Sequence, residues 1–121
     1  MEQQKEQILR ELTEWGCDVP GTMRRFLNDS DFYCRLLRSV PQESSFEELG
    51  KALEAGDVRT AFELAHSLKG VLGNMGISPM YQECCAIVEP LRAGSAEGVR
   101  EHYQTLLGQR ERLSAILNAK A

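Results

Sequence analysis

The chain has 121 residues, 42% of them hydrophobic and 26% charged, which suits one compact soluble domain and excludes a disordered one. Its 14 basic residues against 18 acidic ones give a net charge of −4, without the Lys/Arg excess that grips a phosphate backbone, so no nucleic-acid partner is expected. No apolar run approaches the roughly 20 residues that span a bilayer, and the Glu/Gln-rich start lacks a secretion signal, so a cytoplasmic protein with no membrane partner is expected.

Val, Ile and Thr are scattered while Leu, Glu, Ala, Arg and Gln dominate, which favours helix throughout. A first amphipathic segment runs from about Glu2 to Trp15, with Ile8, Leu9 and Leu12 on one face. Asp18-Val19-Pro20-Gly21 is a turn cluster. A short helical piece, Thr22 to Leu27, follows, and Asn28-Asp29-Ser30 offers capping oxygens for the next start. From Asp31 to Ala55 the pattern is helical but broken at Pro41, which removes a backbone donor. Phe32, Leu36 and Val40 are expected inward before the break, and Phe46, Leu49 and Leu53 after it. Gly56-Asp57 is a helix stop followed at once by an N-cap.

The clearest element is Val58 to Met75. Val58, Ala61, Ala65, Leu68, Leu72 and Met75 alternate steps of three and four, which is a core-facing seam. Gly76-Ile77 ends it and Ser78-Pro79 restarts the chain. The next helix turns Met80, Cys84, Ile87 or Val88, and Leu91 inward, and Pro90 should kink or fray its end. After Gly94-Ser95, the last helix buries Val99, Tyr103, Leu106, Leu113 and Leu117, with Arg110 interrupting that seam. Helices of roughly 15 to 22 residues on short connections pack antiparallel. The expected fold is therefore all-α: an up-down antiparallel four-helix bundle over 29–121, with 1–28 as an N-terminal helical cap of the same domain.

At about 100° per residue, His66 lies roughly 130° from the middle of that seam and points outward. Its neighbours one turn away are Phe62, Lys69 and Gly70, with Arg59 and Gly73 one turn further. Each mid-helix glycine costs about 1 kcal/mol relative to Ala, so two beside an exposed imidazole ask for a reason. Access supplies one: without side-chain bulk, another protein can approach the ring. Lys69 is a mobile cation able to neutralise a phosphoryl group. Imidazole is largely neutral at pH 7, which leaves one ring nitrogen a lone pair for attack on phosphorus. Taken singly, a surface histidine, a solvated lysine and a packing seam say nothing of function; their order along one helix does.

That order, Ala65-His66-Ser67-Leu68-Lys69-Gly70 and then Gly73-Asn74-Met75-Gly76, resembles the signature of histidine-containing phosphotransfer (HPt) domains. The family pattern is His, any residue, Leu, Lys, Gly, then Gly ten residues after the His and usually Leu four beyond, where this chain has Met80. Leu53-Glu54-Ala55-Gly56-Asp57 and Ile87-Val88-Glu89 resemble the flanking helices, and the likeness spans roughly Asp29 to Leu117. Pro90 and the developed N-terminal cap depart from it. The resemblance implies that His66 accepts a phosphoryl group from a receiver-domain aspartate, or from a kinase such as a hybrid histidine kinase, and passes it to a response regulator. Lys69 would stabilise the phosphorylated state and Gly70 would permit close docking. Arg59, Phe62, Ser67 and Gly73 complete the expected partner-facing patch, with Cys85, Ala86 and Glu89 across from His66 on the neighbouring helix. The receiver brings the aspartate and a magnesium ion, so no resident metal, nucleotide or other cofactor and no independent kinase activity are expected of this chain, which should act as a monomer.

A histidine-kinase dimerisation helix fits less well. There an acidic residue and then a proline commonly follow the histidine, whereas Ser67 and Lys69-Gly70-Val71 follow here, and no glycine-rich nucleotide motif is present. The phosphoacceptor domain of a chemotaxis-type kinase shares the same fold and histidine environment; the lack of a further domain favours a stand-alone carrier. From other classes, a non-catalytic helical adaptor and a metal-binding bundle using His66, His102 and the thiols stay open. The cysteines at 17, 34, 84 and 85 form no Cys-x-x-Cys pair, which points to free thiols in a reducing compartment.

Overall fold

The computed structural model describes residues 2–118. Residue 1 and residues 119–121, the outer limits of the expected cap and bundle, lie outside the described residues. Seven α-helices follow one another: α1 (Glu2–Trp15), α2 (Val19–Arg25), α3 (Ser30–Ser39), α4 (Ser45–Glu54), α5 (Val58–Asn74), α6 (Ser78–Arg92) and α7 (Val99–Asn118). A single 3-10 turn, Val40–Gln42, separates α3 from α4, and among the described residues there is no strand.

Local chemistry explains most of these boundaries. Asp18, Asp29 and Asp57 each cap the helix that follows, accepting from the backbone N–H of Gly21, Phe32 and Thr60 at 3.1 Å. Hydrogen bonds from the Thr60 side chain and backbone hold the Asp57 carboxyl below its usual range. Gly56 and Gly76, at φ +70° and +71°, end α4 and α5 in the left-handed conformation that glycine adopts without strain. Pro41 falls in the 3-10 turn, and Pro90 lies inside α6, two residues before its end.

Two expectations need correcting. The short helix is Val19–Arg25 rather than Thr22 to Leu27. Asp18 and Pro20, read as parts of a turn, are instead its cap and a first-turn proline, where no backbone donor is needed. Leu27 and Asn28, with φ of 55° and 60°, lie beyond it. On α3 the inward residues are Tyr33, Cys34 and Leu37, followed by Val40, while Phe32 stays 40% exposed. Both phases satisfy helical periodicity. Tyr33 can enter the core because its hydroxyl donates to the Met75 carbonyl at 2.8 Å, which satisfies the one polar atom it buries.

Elsewhere most of the expected core residues are inside, while Leu9, Val58 and Tyr103 are half-buried against the core. Ala61, Ala65, Leu68, Leu72 and Met75 of the α5 seam are buried, as are Met80, Cys84, Ile87, Val88 and Leu91 on α6 and Val99, Leu106, Leu113 and Leu117 on α7. Helix α5 packs between α4 and α6, and α6 packs on α7. Arg110, the break in the α7 seam, lays its guanidinium 5.1 Å from the Phe46 ring centre and pairs with Glu47 at 2.6 Å, so its stem covers the core while its charge stays outside.

The N-terminal helices are tied to the rest at named points. Lys5 of α1 bonds Asp31 of α3 at 2.8 Å, and Arg112 of α7 lies 4.9 Å from the Trp15 ring centre. Arg25 of α2 donates to the carbonyls of Gly73 and Asn74, at 3.3 and 2.9 Å, satisfying acceptors left free at the C-terminal end of α5. The segment before α3 therefore braces the end of the helix that carries His66.

Candidate functional site

Helix α5 has two faces. Its seam is inside, and Arg59, Glu63, His66, Ser67, Gly70 and Asn74 are exposed on the other side. Phe62 and Lys69 are half-buried at the edge toward α6. The Phe62 and His66 rings stack, with centroids 5.7 Å apart and planes 18° from parallel. This follows from their spacing, because residues four apart on a helix lie over one another.

Lys69 makes no ion pair among the described residues, so its ammonium is uncommitted. Its charge reaches α6: burial and the neighbouring Cys85 push the Cys84 thiol up to about 12, and Lys69 acts in the opposite sense. The Cys84 thiol donates to the carbonyl of Ala65, the residue before His66, at 3.2 Å. Arg59 is exposed and faces Glu63 at 3.9 Å, a surface pair of little energetic weight.

The two glycines differ. A Cβ added at Gly70 would meet nothing within 4 Å, so the approach to His66 from that side is open. A Cβ at Gly73 would lie 3.2 Å from the Tyr81 ring of α6. The access expected at both positions is therefore found at Gly70, while Gly73 seats a neighbouring side chain.

Contacts between α5 and α6 run in antiparallel order: Gly73 with Tyr81, Ala65 with Cys84, and Phe62 with Arg92. On these contacts the stretch of α6 from Cys84 to Arg92 runs alongside Phe62 to Ala65 of α5. Arg92 was not among the expected site residues. Its guanidinium carbon lies 5.2 Å from the Phe62 ring centre, and its Nε lies 3.6 Å from Glu89. Phe62 and Arg92 stand about equally far from the Gly76-Ile77 turn, so counting outward from that turn would have paired them.

His102 is apart from this site. It is exposed on α7, and its Nδ1 is bonded to the Glu83 carboxylate of α6. Among the described residues no three of His, Cys, Asp and Glu stand close enough together to hold a metal ion. All four cysteines are free thiols, with Cys85 the least buried. No helix among the described residues is long and apolar enough to cross a membrane.

Chemically, this face offers a nucleophilic ring nitrogen in the open, a free cation one turn away and an unobstructed approach. Among curated proteins and among solved structures, no match to the chain was found. The family model described as the Hpt domain matches residues 35–119, which takes in all of α4 to α7 and the second half of α3. With that match across most of its length, the chain belongs to the Hpt domain family, the histidine phosphotransfer modules of two-component and phosphorelay signalling.

Proposed function

We propose that this chain is a phosphorelay intermediate in which His66 carries the phosphoryl group. The observation that carries the reading is the exposure of His66 on the matched region's central helix, with Lys69 unpaired beside it and Gly70 open. The donor is a receiver-domain aspartyl phosphate, alone or within a hybrid histidine kinase. A lone pair on one imidazole nitrogen attacks phosphorus, a nitrogen–phosphorus bond forms, and the phosphorus–oxygen bond to the aspartate breaks. The electron pair returns to the aspartate carboxylate, and the reverse reaction loads the aspartate of a response regulator. Lys69 lies against the phosphoryl oxygens and lowers the cost of their charge.

The chain acts as a carrier, without kinase activity or a cofactor of its own, as a monomer in the cytoplasm. Arg59, Phe62, Ser67, Gly70 and Gly73 lie on or beside the surface that the receiver covers. Within the described residues, 29–118 form the up-down antiparallel four-helix bundle and 2–28 its cap. Support for that arrangement comes from the pairing of Glu47 with Arg110 and of Phe46 with Tyr103, which brings α7 back against α4, and from the antiparallel order between α5 and α6.

Incubation with a phosphorylated receiver domain tests the proposal. The unmodified chain takes up acid-labile, base-stable label and His66→Gln takes up none. Equal labelling of the two proteins, or no labelling of the unmodified chain by any cognate receiver, overturns it.

A further inference from the structure

We infer that Phe62 is a positioning residue for the His66 imidazole, with Arg92 holding Phe62 in its turn. The inference rests on the phosphotransfer reading of His66 and deepens it by saying what aims the nucleophile. Among the described residues the His66 ring has no hydrogen bond or ion pair, and the Phe62 ring is the aromatic group stacked on it. Rotation about the bond between Cβ and the ring is therefore restrained by that stack rather than by a bonded partner.

The geometry suits the chemistry. The lone pair of an imidazole nitrogen lies in the ring plane, so a neighbour on the ring's face leaves the attacking edge clear. A hydrogen bond to a ring nitrogen would orient the ring too, but would occupy one of its two edges. Attack on phosphorus must be in line, and small errors in aim cost rate. As the lone pair is shared with phosphorus, positive charge develops on the ring, and an aromatic face beside it is a favourable surface for that charge.

Phe62 is held as well. It is half-buried against the core, and Arg92 reaches it from α6 at 5.2 Å, within the range of a cation–π contact. Glu89 steadies Arg92 from the side at 3.6 Å. The aim of the nucleophile on α5 thus depends on the last turn of α6, a helix that brings none of the reacting atoms. A docking contact would not need a flat ring parallel to the imidazole; a positioning group does.

Three variants separate these roles: Phe62→Leu keeps apolar bulk without a flat face, Phe62→Tyr keeps the face, and Arg92→Gln removes the clamp at an exposed position. For each, the transfer rate at saturating phosphorylated receiver, the affinity for unphosphorylated receiver and the NMR shifts of the His66 ring protons are measured. Phe62→Leu is expected to slow transfer at saturating receiver by about tenfold, over and above any change in receiver affinity, and to abolish the ring-current shift of the His66 protons. Phe62→Tyr restores both rate and shift, and Arg92→Gln falls between. A Phe62→Leu protein that binds receiver more weakly yet transfers normally at saturation overturns the inference, as does an unchanged ring shift. Should Phe62→Leu lose its fold, an Arg92→Gln protein with an unaltered ring shift and rate overturns it equally. Failure of the unmodified chain to take label sinks the phosphotransfer reading itself, a result distinct from normal transfer in the variants.

Discussion

The ring of Tyr81 lies over Gly73, 3.2 Å from where a methyl group at that glycine would sit, while the same position at Gly70 has nothing within 4 Å. One glycine is kept small by a neighbouring helix in its own molecule. The other is small although nothing within the molecule requires it, which is the pattern expected where a second protein supplies the missing contact.

Substitution at the two positions should therefore diverge. Gly70→Ala gains helix propensity without a clash and should raise stability by about 1 kcal/mol. Gly73→Ala has the same gain offset by displacement of the Tyr81 ring and should be close to neutral. Bulk at the open site has the opposite effect on function: Gly70→Gln should stay folded and fail to exchange phosphate with a receiver. Urea unfolding and labelling, run on the same samples, check both parts. Normal transfer by Gly70→Gln would end the close-approach argument.

Lys69 makes a separate prediction. A half-buried cation beside a phosphoryl group contributes on the order of 1 kcal/mol through its charge. Lys69→Ala should keep the fold and shorten the lifetime of the phosphorylated protein severalfold, whereas Lys69→Arg should largely preserve it. Rising salt should shorten the lifetime of the unmodified protein and barely affect Lys69→Ala, since screening acts on the lost interaction. Decay of acid-labile label measures all of these. Equal lifetimes in Lys69→Ala and the unmodified chain would remove Lys69 from the mechanism.

How much of this was readable beforehand depended on whether a feature was local. His66, Lys69 and Gly70 share one helix, and the steps of three and four from Val58 to Met75, framed by Asp57 and Gly76, orient that helix without help from tertiary structure. The start of α2 is not decided locally, because Asp18 and Pro20 serve equally as turn and as helix-start residues. The phase of α3 is also open, because Phe32 and Tyr33 both fit a helical stripe, and the choice is made by the distant Met75 carbonyl that accepts from the Tyr33 hydroxyl. Arg92 and the closure of Gly73 by Tyr81 likewise depend on which residues α6 brings against α5. Periodicity along one helix carries no such information.

The contacts that brace the end of α5 predict where stability is vulnerable. Gly76 has φ +71°, and a Cβ there would meet Thr22 Oγ1 at 2.0 Å and the Asp18 carbonyl oxygen at 2.9 Å. Thr22 cannot simply turn aside, because its hydroxyl donates to that same carbonyl at 2.6 Å. Gly76→Ala should cost about 3 kcal/mol, combining left-handed strain with displacement of α2. Tyr33→Phe leaves the buried Met75 carbonyl without its donor and should cost about 1–2 kcal/mol. Urea midpoints check both values. Neither residue touches the exposed face of α5, so the folded Tyr33→Phe protein should label at the normal rate; a slowed rate would show that the brace also controls the site.

The buried thiols set the alkaline limit of the fold. Burial pushes Cys17 from 9.0 up to about 11 and Cys84 from 9.0 up to about 12, and it pushes Cys34 in the same direction. A thiol with a raised value in the native state stays protonated there while the unfolded chain has already released its proton. Between pH 9 and about 11 the unfolded state thus binds fewer protons, and stability falls as pH rises. Each fully shifted thiol contributes a loss of about 1.4 kcal/mol per pH unit within its window, which for Cys84 extends to about pH 12. Above pH 10 the buried Tyr33 hydroxyl, also pushed up by burial, adds to the fall. Cys84→Ala loses the thiol and its bond to the Ala65 carbonyl, so it starts less stable at pH 8, yet its stability should fall less steeply above pH 9. Urea unfolding at intervals from pH 8 to 11 gives the two slopes. Parallel slopes would show that Cys84 ionises as easily inside the fold as outside it, contrary to its complete burial between α5 and α6.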